Sequence, residues 1–415
     1  MRMLAQIKDY ARRANLPVIP VRANSVLILE QPNQFYGTLL DNVGGVRTRV
    51  ALSALYIGTG CKESTMIQRI CDNKRLNPKL VVRVVLDGNR AQRTDRLGQS
   101  SVLMLKRLLS FNDVKLNLVF TDRSSSMLRF VLRRVKKWNE ILSTFHAKIM
   151  VFDDDTIITG ANLSEAYFEK RQDRYIVIKN SRSLSDYMFN LLDTLHEESG
   201  SIESLVRSHN RSFINKFTDH HGIESGDTLM IPLIQYKSLS DKEDFMQFLC
   251  SILPASGRIH LSSGYFNPSP TLCKLRLSSV LAPSEKANGF YGADGLLRFI
   301  PHIYSAIQNR YMASNESCEV RLYDRPGWSF HAKGIWIDGL DNLYMHLMGS
   351  SNFNYRSSKR DFEIQTLLIT SNKELIERLE KERSSLWSYS SKTAHNPGLA
   401  GAFFSTLARL LKKFL

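Results

Sequence analysis

Two segments of the sequence carry a histidine and a lysine at the same spacing. Residues 145–153 read FHAKIMVFD and residues 330–338 read FHAKGIWID, so both fit the pattern H-x-K-x4-D. An asparagine follows each segment, Asn162 or Asn352, and eleven residues later a carboxylate, Asp173 or Glu363. An imidazole and an ammonium two positions apart on an extended strand face the same side. A nucleophile and a positive charge on one side are typical of phosphoryl transfer.

Two such histidines can divide the work of this reaction. One attacks phosphorus, while the other protonates or deprotonates the oxygen opposite to it. We assign these two roles to His146 and His331. The charge and hydrogen bonds for the phosphoryl oxygens would come from Lys148, Lys333, Asn162 and Asn352. This chemistry needs no metal, and the five cysteines stand at no metal-ligand spacing, so we expect no metal and no cofactor.

The four acidic residues of the two motifs separate into two pairs. Asp173 and Glu363 stand at equal distances from their asparagines, and each is expected to hold an imidazole by its second nitrogen and fix its tautomer. Asp153 and Asp338 complete the H-x-K-x4-D patterns. They stand at the ends of the motif strands, and we interpret them either as structural residues or as supporting members of the catalytic set.

An internal repeat extends beyond the motifs. Residues 35–40 (FYGTLL) and 49–56 (RVALSALY) are echoed by residues 245–249 (FMQFL) and 258–265 (RIHLSSGY). Apolar runs read as strands at 25–29, 49–56, 80–87, 114–120, 147–152 and 175–178, then at 259–263, 318–323, 332–337, 343–348 and 364–369. Amphipathic segments between the first six read as helices at 36–43, 64–73, 99–110 and 184–196. This alternation predicts an α/β protein with two homologous halves, each a mixed sheet covered on both faces.

The predicted division of the chain follows the repeat. We expect an N-terminal segment (1–19), a first half (20–200), a connector (201–228), a second half (229–395) and a C-terminal basic amphipathic helix (396–415). The connector holds His220 and His221, which we interpret as solvated. The formal charge of +16 indicates an anionic partner, which composition alone leaves open between nucleic acid, an acidic membrane and a phosphorylated substrate. No apolar run reaches 18 residues, so we expect no segment that spans a bilayer.

The duplicated motif resembles that of the phospholipase D superfamily. Longer strings are similar to the eukaryotic mitochondrial CDP-diacylglycerol–glycerol-3-phosphate 3-phosphatidyltransferases: SALYIGTG (53–60), GANLS (160–164), RQDRY (171–175), ANGFY (287–291) and GWSFHAKG (327–334). The resemblance covers roughly residues 20–390. It implies a phospholipase D fold, with the two halves related by a pseudo-twofold axis and one active site at their junction.

The resemblance also implies an activity and a location. The enzyme would transfer the phosphatidyl group of CDP-diacylglycerol to glycerol 3-phosphate through a phosphatidyl-histidine, for cardiolipin synthesis. His146 would be the nucleophile and His331 the general acid/base, although the reverse assignment stays open. The implied location is peripheral, on the mitochondrial inner membrane, with no nucleic acid as partner.

The acceptor is the open question within the superfamily. Candidate residues for binding substrate are Arg90, Arg93, Arg174, Arg356, Tyr56, Tyr265 and Ser350; arginine can grip a phosphate with two bonds. The string RAQR (90–93) is also similar to bacterial phosphatidylserine synthases. The alternatives are therefore a phosphatidylserine synthase or phospholipase D-type hydrolase, a nucleic-acid phosphodiesterase, and a non-enzymatic membrane-binding scaffold.

Two basic segments bear on membrane contact. Residues 129–138 (RFVLRRVKKW) cluster cations beside an aromatic residue, and they are either a solvated helix face or a surface for headgroups. In residues 398–415 the apolar residues repeat at helical spacing along one stripe, with basic residues off it. Such a helix either lies in an anionic membrane interface or docks on the protein's own core.

Overall fold

The computed structural model describes residues 2–121, 143–196, 201–219, 226–340, 342–392 and 400–412. The basic segment 129–138 and the pair His220 and His221 lie outside these residues. The helices are α1 (Arg2–Arg13), α2 (Pro32–Gly45), α3 (Cys61–Leu76), α4 (Gly88–Ala91), α5 (Ser101–Leu105), α6 (Glu165–Glu169), α7 (Arg182–Thr194), α8 (Ile202–Asp219), α9 (Asp241–Ile252), α10 (Ile300–Ser314), α11 (Tyr355–Lys359), α12 (Lys373–Ser388) and α13 (Ala400–Leu411).

The strands of the N-terminal part are β1 (Ile19–Val21), β2 (Val26–Leu29), β3 (Arg49–Ala54), β4 (Val81–Asp87), β5 (Val114–Val119), β6 (Ile149–Phe152), β7 (Asp155–Thr159), β8 (Arg171–Gln172) and β9 (Tyr175–Ile178). Those of the C-terminal part are β10 (Thr228–Tyr236), β11 (Leu239–Ser240), β12 (Arg258–Ser262), β13 (Ser279–Pro283), β14 (Glu319–Tyr323), β15 (Ser329–Phe330), β16 (Gly334–Leu340), β17 (Leu343–Gly349), β18 (Glu363–Thr370) and β19 (Ser390–Lys392).

The internal repeat is visible in the strand order of the two large sheets. The first sheet runs β2-β9-β7-β6-β3-β4-β5, and the second contains β18-β17-β16-β12-β13-β14 in its middle. Six strands of each sheet therefore follow the same order, with three parallel strands at one end and antiparallel strands at the other. This order confirms the predicted pair of homologous mixed-sheet halves.

Apolar side chains fill three layers around the two sheets. Between the sheets, α7 and α12 bring Leu184, Leu191, Leu375 and Leu379 against residues of both halves. Helices α2 and α3 cover the outer face of the first sheet, and α1 and α9 cover the outer face of the second. Sheets buried on both faces explain why their strands read as near-continuous apolar runs in the sequence.

The N-terminal segment belongs structurally with the second sheet. Strand β1 pairs antiparallel with β10, and Tyr10 on α1 stacks on Phe248 of α9 at 4.4 Å between ring centroids. The chain crosses to the first sheet only at β2, which pairs with β9. Arg378 on α12 donates to the carbonyl oxygens of Ala23 and Val26 at this crossing. The two halves are thereby tied together at the start of the chain.

The predicted C-terminal helix is present as α13 and packs on α10. The Phe404 ring lies 5.2 Å from the ring of His302 and 6.2 Å from that of Phe299, and Asn267 donates to the Lys412 carbonyl at 2.8 Å. Ala408 is buried in this contact, while Phe403 and Leu410 are exposed. Both features expected of this segment, docking and an outward apolar side, therefore occur together. No helix among the described residues is long and apolar enough to cross a membrane.

Candidate active site

The two histidine segments meet by crossing from one half to the other. Phe145 bridges to Phe362, and the backbone N–H of His146 donates to the Phe362 carbonyl at 2.8 Å. In the same way β15 pairs with β8, and the N–H of His331 donates to the Gln172 carbonyl at 2.8 Å. Each histidine therefore lies against the strand that carries the other half's carboxylate.

This crossing places the histidines and lysines just before the strands on which the sequence pattern put them. Strand β6 begins at Ile149 and β16 at Gly334, in both cases three residues after the histidine. The reason is that the backbone N–H of each histidine bonds across the junction to the other half. Hydroxyls of the neighbouring strands hold these segments, since Ser53 donates to the Ala147 carbonyl and Ser262 to the Ala332 carbonyl, each at 2.9 Å.

The carboxylates are exchanged between the halves. His146 Nδ1 lies 3.0 Å from both carboxylate oxygens of Glu363, and His331 Nδ1 lies 2.6 Å from Asp173 Oδ2. Because an ionised carboxylate only accepts hydrogen bonds, His146 Nδ1 is the donor to Glu363 and His146 Nε2 keeps its lone pair. The contact fixes the tautomer of His146, and in both rings Nε2, the reactive nitrogen, is the one that does not face the exchanged carboxylate.

The lysines of the two motifs are buried beside the imidazoles. Lys333 Nζ lies 2.6 Å from His331 Nδ1 and 3.4 Å from Asp173 Oδ2, and it donates to the Gly160 carbonyl at 3.3 Å. Lys148 Nζ donates to the carbonyl of its own His146 at 2.7 Å. Burial lowers the pKa of Lys148 to about 7 and that of Lys333 to about 8. In their protonated forms, which they lose near neutral pH, the two lysines can bind an anion.

The turn sequences after the motifs differ for a steric reason. Ser350 donates its hydroxyl to Glu363 in the second half. The corresponding residue of the first half is Gly160, where an added Cβ would lie 2.6 Å from Asp173 Oδ1 and 2.7 Å from Lys333 Nζ. The glycine therefore leaves the room that the Lys333 ammonium occupies.

The two asparagines line the junction in different ways. Asn162 accepts from the Leu55 N–H and donates to the Tyr167 hydroxyl, both at 3.3 Å. Asn352 Oδ1 is buried and has no hydrogen-bond partner within the described ranges. A buried acceptor without a protein partner costs free energy unless the donor of a ligand bonds to it.

Asp153 and Asp338 stand at the far ends of the motif strands. Asp153 accepts from the backbone N–H groups of Arg47, Thr48 and Arg49 at 2.8, 2.7 and 3.1 Å. Asp338 accepts from Arg258 Nε at 2.6 Å. Both carboxylates thus tie their own sheets together and touch neither imidazole.

The arginines expected to bind substrate lie in unlike environments. Arg174 is buried, donates to Glu382 and stacks on Trp336 at 4.0 Å, an arrangement in which loss of one partner costs about 3–5 kcal/mol. Arg356 Nε lies 2.9 Å from Asp361. Arg90 stacks over the Tyr56 ring at 4.2 Å, and Arg93 follows within the same turn. Of these four arginines, Arg90 contacts Tyr56, another residue expected to bind substrate.

Aromatic rings surround the imidazole of His331. The Tyr167 and Tyr265 rings meet the His331 ring edge-on at 5.1 and 5.6 Å. Tyr167 belongs to α6 and was not singled out in the sequence, although it stands between two strings of the resemblance. Burial, followed by the charges of Lys333, Arg171 and His146, lowers the pKa of His331 well below its usual range. The charge of His146 thus acts on His331, and together with the exchanged carboxylates this indicates that the two motifs form one site.

Two homologous halves that exchange carboxylates around two His-Lys pairs define a phospholipase D-like phosphoryl-transfer site. The sequence profile of the family described as "Cardiolipin synthase, PLD-like domain" matches residues 41–193 and 301–387. These residues make up more than half of the chain, and the chain therefore belongs to this phospholipase D-like family.

Named relatives extend over most of the chain. A protein of Dictyostelium discoideum named "Probable CDP-diacylglycerol--glycerol-3-phosphate 3-phosphatidyltransferase" is 29% identical, over 89% of this chain and 74% of that protein. The mitochondrial enzyme of the same name from Gallus gallus is 28% identical, over 90% of this chain and 79% of that protein. The crystal structure of phosphatidylserine synthase from Haemophilus influenzae Rd KW20 covers 99% of this chain and 100% of its own, with a TM-score of 0.76 and 19% identity. That likeness confirms the predicted fold.

Proposed function

We propose that this protein transfers the phosphatidyl group of CDP-diacylglycerol to glycerol 3-phosphate, releasing CMP and forming phosphatidylglycerophosphate. The observation that carries the proposal is the pair of imidazoles, each held at Nδ1 by a carboxylate of the opposite half. The names of the relatives from Dictyostelium discoideum, Gallus gallus and Saccharomyces cerevisiae agree on this reaction and on its acceptor. The product would supply cardiolipin synthesis.

The reaction would run as two displacements at one phosphorus atom. His146 Nε2 attacks the phosphatidyl phosphorus, the bond from phosphorus to the CMP oxygen breaks, and protonated His331 gives its proton to that oxygen. His331 then takes the proton of the glycerol 3-phosphate hydroxyl, which attacks the phosphatidyl-histidine and frees His146. Lys148 and Lys333 balance the charge that builds on the phosphoryl oxygens. Asn162 and Asn352 contribute hydrogen-bonding groups at the same junction.

The decisive experiment offers several acceptors side by side. Purified protein is incubated with CDP-diacylglycerol and labelled glycerol 3-phosphate, with labelled serine in a parallel reaction, and with neither acceptor in a third, all in the presence of a chelator. We expect labelled phosphatidylglycerophosphate in the first reaction. Phosphatidylserine as the main product, or phosphatidate whichever acceptor is present, would assign the protein to another activity of the superfamily.

The protein would work at a membrane because its lipid substrate resides there. Exposed apolar side chains lie on three segments: Leu97 (85% exposed), Leu296 (84%), Phe403 (67%) and Leu410 (71%). Arg96 and Asp294 approach to 3.9 Å and join the first two segments, while α13 packs on α10, whose Tyr304 touches Tyr265 beside His331. Arg409 and Lys412, exposed on and just after α13, add positive charge suited to anionic headgroups.

Substitution of both Phe403 and Leu410 by serine is expected to weaken vesicle binding roughly tenfold or more, since burying each such side chain contributes about 1.5–3 kcal/mol. Co-sedimentation with vesicles of phosphatidylcholine and phosphatidylglycerol measures the effect. Leu76→Ser is the matched control, since this leucine at the end of α3 is even more exposed (88%), and the variant should bind as the wild type does. Equal loss in the control, or none in the double variant, would remove α13 from the membrane contact.

The relatives from Gallus gallus and Homo sapiens are named mitochondrial. We place this protein in the same organelle, peripherally on the inner membrane, where the proposed product is used. Imaging of the tagged full chain together with carbonate extraction of isolated mitochondria tests both parts of the assignment. A signal outside mitochondria would contradict the first part, and resistance to carbonate extraction would contradict the second.

The alkaline side of the pH profile should report the two lysines. Burial holds the pKa of Lys148 at about 7 and that of Lys333 at about 8 in the free enzyme, so positive charge is lost as pH rises through this range. We expect kcat/KM to fall there, while the fall in kcat lies at higher pH because the bound anion favours the ammonium forms. Lys148→Arg, which stays charged, should move the kcat/KM fall upward. An unchanged profile in this variant would show that Lys148 does not set it.

A further inference from the structure

The two exchanged carboxylates have neighbours of opposite charge. Asp361 stands two residues before Glu363, and the corresponding residue before Asp173 is Arg171. The pairing of β8 with β15 on one side of the junction corresponds to the bridge between Phe145 and Phe362 on the other. Arg171 and Asp361 therefore occupy equivalent positions around the junction. The pseudo-twofold arrangement therefore has an acid beside His146 and a base beside His331.

The acidic member of this pair is satisfied within the protein. Asp361 accepts from the Thr144 N–H at 2.8 Å and from the Thr144 hydroxyl at 3.0 Å, and it pairs with Arg356 at 2.9 Å. These bonds hold the segment that leads into His146. The contacts of Asp361 are thus structural, and its charge is balanced by Arg356.

The basic member lacks such a balance. Arg171 Nε donates to the Ser329 hydroxyl at 3.0 Å and Nη1 donates to the Tyr167 hydroxyl at 3.3 Å. Both partners are neutral, and among the residues that the structure describes no carboxylate forms an ion pair with Arg171. Arg174, three residues on, shows the contrast because Glu382 neutralises it. A half-buried guanidinium without a counter-charge is suited to an anionic ligand.

The Tyr167 hydroxyl lies between Arg171 and His331 Nε2, the reactive nitrogen. The Tyr167 oxygen that receives its hydrogen bond lies 3.4 Å from His331 Nε2. Gly289 flanks the other terminal nitrogen: a Cβ there would lie 3.1 Å from Arg171 Nη2 and 2.6 Å from the Tyr265 hydroxyl. A side chain at position 289 would crowd Arg171 Nη2 and the Tyr265 hydroxyl, and the glycine avoids this. Arg171 Nη1 and His331 Nε2 thus contact the same Tyr167 hydroxyl, which places the guanidinium beside the reactive nitrogen.

We propose that Arg171 binds the phosphate monoester on the His331 side of the site, as CMP leaves and as glycerol 3-phosphate enters. This inference rests on the proposed function, in which His331 serves the departing oxygen and then the entering hydroxyl. Both groups approach the same face of the phosphorus, and both carry a phosphate monoester. A planar guanidinium recognises such a group with two parallel hydrogen bonds, and water or glycerol offers it nothing comparable.

Two substitutions and three acceptors test the proposal. For Arg171→Gln we expect the KM for glycerol 3-phosphate to rise about tenfold or more, the range for losing a hydrogen bond to a charged group. Transfer to glycerol and hydrolysis to phosphatidate should change less, so that the preference for glycerol 3-phosphate over these acceptors falls. Arg171→Lys, which keeps the charge but not the fork, should lie between. Exchange of labelled CMP into CDP-diacylglycerol separates the two sources of the monoester, because only CMP takes part in it.

Three outcomes decide between the possible roles. A raised KM for glycerol 3-phosphate with normal CMP exchange assigns Arg171 to the acceptor, and a raised KM for both assigns it to a shared position. An equal loss for all acceptors with unchanged CMP exchange would overturn the proposal and leave Arg171 as support for Tyr167. Arg75→Gln, on the outer helix α3, is the matched control, and thermal melting shows that each variant is folded. A wild type inactive toward glycerol 3-phosphate would instead refute the proposed function.

Discussion

His146→Ala and His331→Ala are each expected to lower kcat by about 10³-fold or more, because each removes a group that forms a bond or moves a proton in the reaction. Catalytic groups that act as a unit are far from additive, so the double variant should be little worse than either single one. The rate of CMP release from CDP-diacylglycerol in the presence of glycerol 3-phosphate measures the loss.

The two variants should fail at different steps. With His331 absent, slow attack by His146 still yields phosphatidyl-histidine, which then lacks a base for its release, so labelled lipid should remain bound to the denatured protein. With His146 absent, no such label should be found. Label on the His146→Ala protein instead would reverse the assignment of the two roles. His260→Ala is the control, since this histidine of β12 bonds to Ser279 at 2.8 Å and belongs to neither motif.

Much of the fold was predictable because the repeat fixes residue types at fixed spacing. The pattern H-x-K-x4-D with its asparagine and later carboxylate requires the same strand, turn and strand in each half, and the two sheets accordingly share an order of six strands. Strand β7 was missed because the turn that joins it to β6 contains no glycine or proline to mark it. Asp153 adopts the positive φ of 51° at this turn. Strand β13, which ends in Pro283, was missed as well.

The exchange between halves lay beyond the sequence pattern. Both motifs have the same local sequence, so nothing in the spacing says whether Asp173 serves His146 or His331. The answer depends on hydrogen bonds between segments about 160 to 220 residues apart, such as those of His331 with Asp173 and of His146 with Glu363. The pairing of β1 with β10 is of the same kind, because a three-residue strand carries too little pattern to specify its sheet.

Arg171 was present in a string that supported the resemblance but was not considered by itself. A signal for it did exist in the repeat, since alignment of the two carboxylates sets a basic residue against an acidic one two positions earlier. Under our proposal, the position at which the charge changes sign is the one that binds the phosphate monoester, on the His331 side alone. The equal positions, the histidines and lysines, carry the chemistry common to both displacements.

Asp173→Asn and Glu363→Gln test the exchange itself, and each is expected to lower kcat by about 10²–10⁴-fold, the range for a carboxylate that fixes a catalytic imidazole. An amide at either place lets the ring adopt the other tautomer and no longer stabilises the protonated imidazole. Because the carboxylates are exchanged, Asp173→Asn should impair the step that His331 performs, although Asp173 lies in the same half as His146. Covalent label should consequently accumulate on His146 in this variant and not in Glu363→Gln.

Asp153→Asn provides the contrast within the motif. This carboxylate binds three backbone N–H groups near Thr48 and touches no imidazole, so its loss should lower the free energy of unfolding by about 1–3 kcal/mol and leave kcat of the folded protein unchanged. Thermal melting and initial rates on the same samples separate the two effects. If Asp173→Asn likewise lowered the melting temperature and left kcat unchanged, the carboxylates beyond the motifs would be structural residues. Catalysis would then depend on the histidines and lysines, and not on these carboxylates.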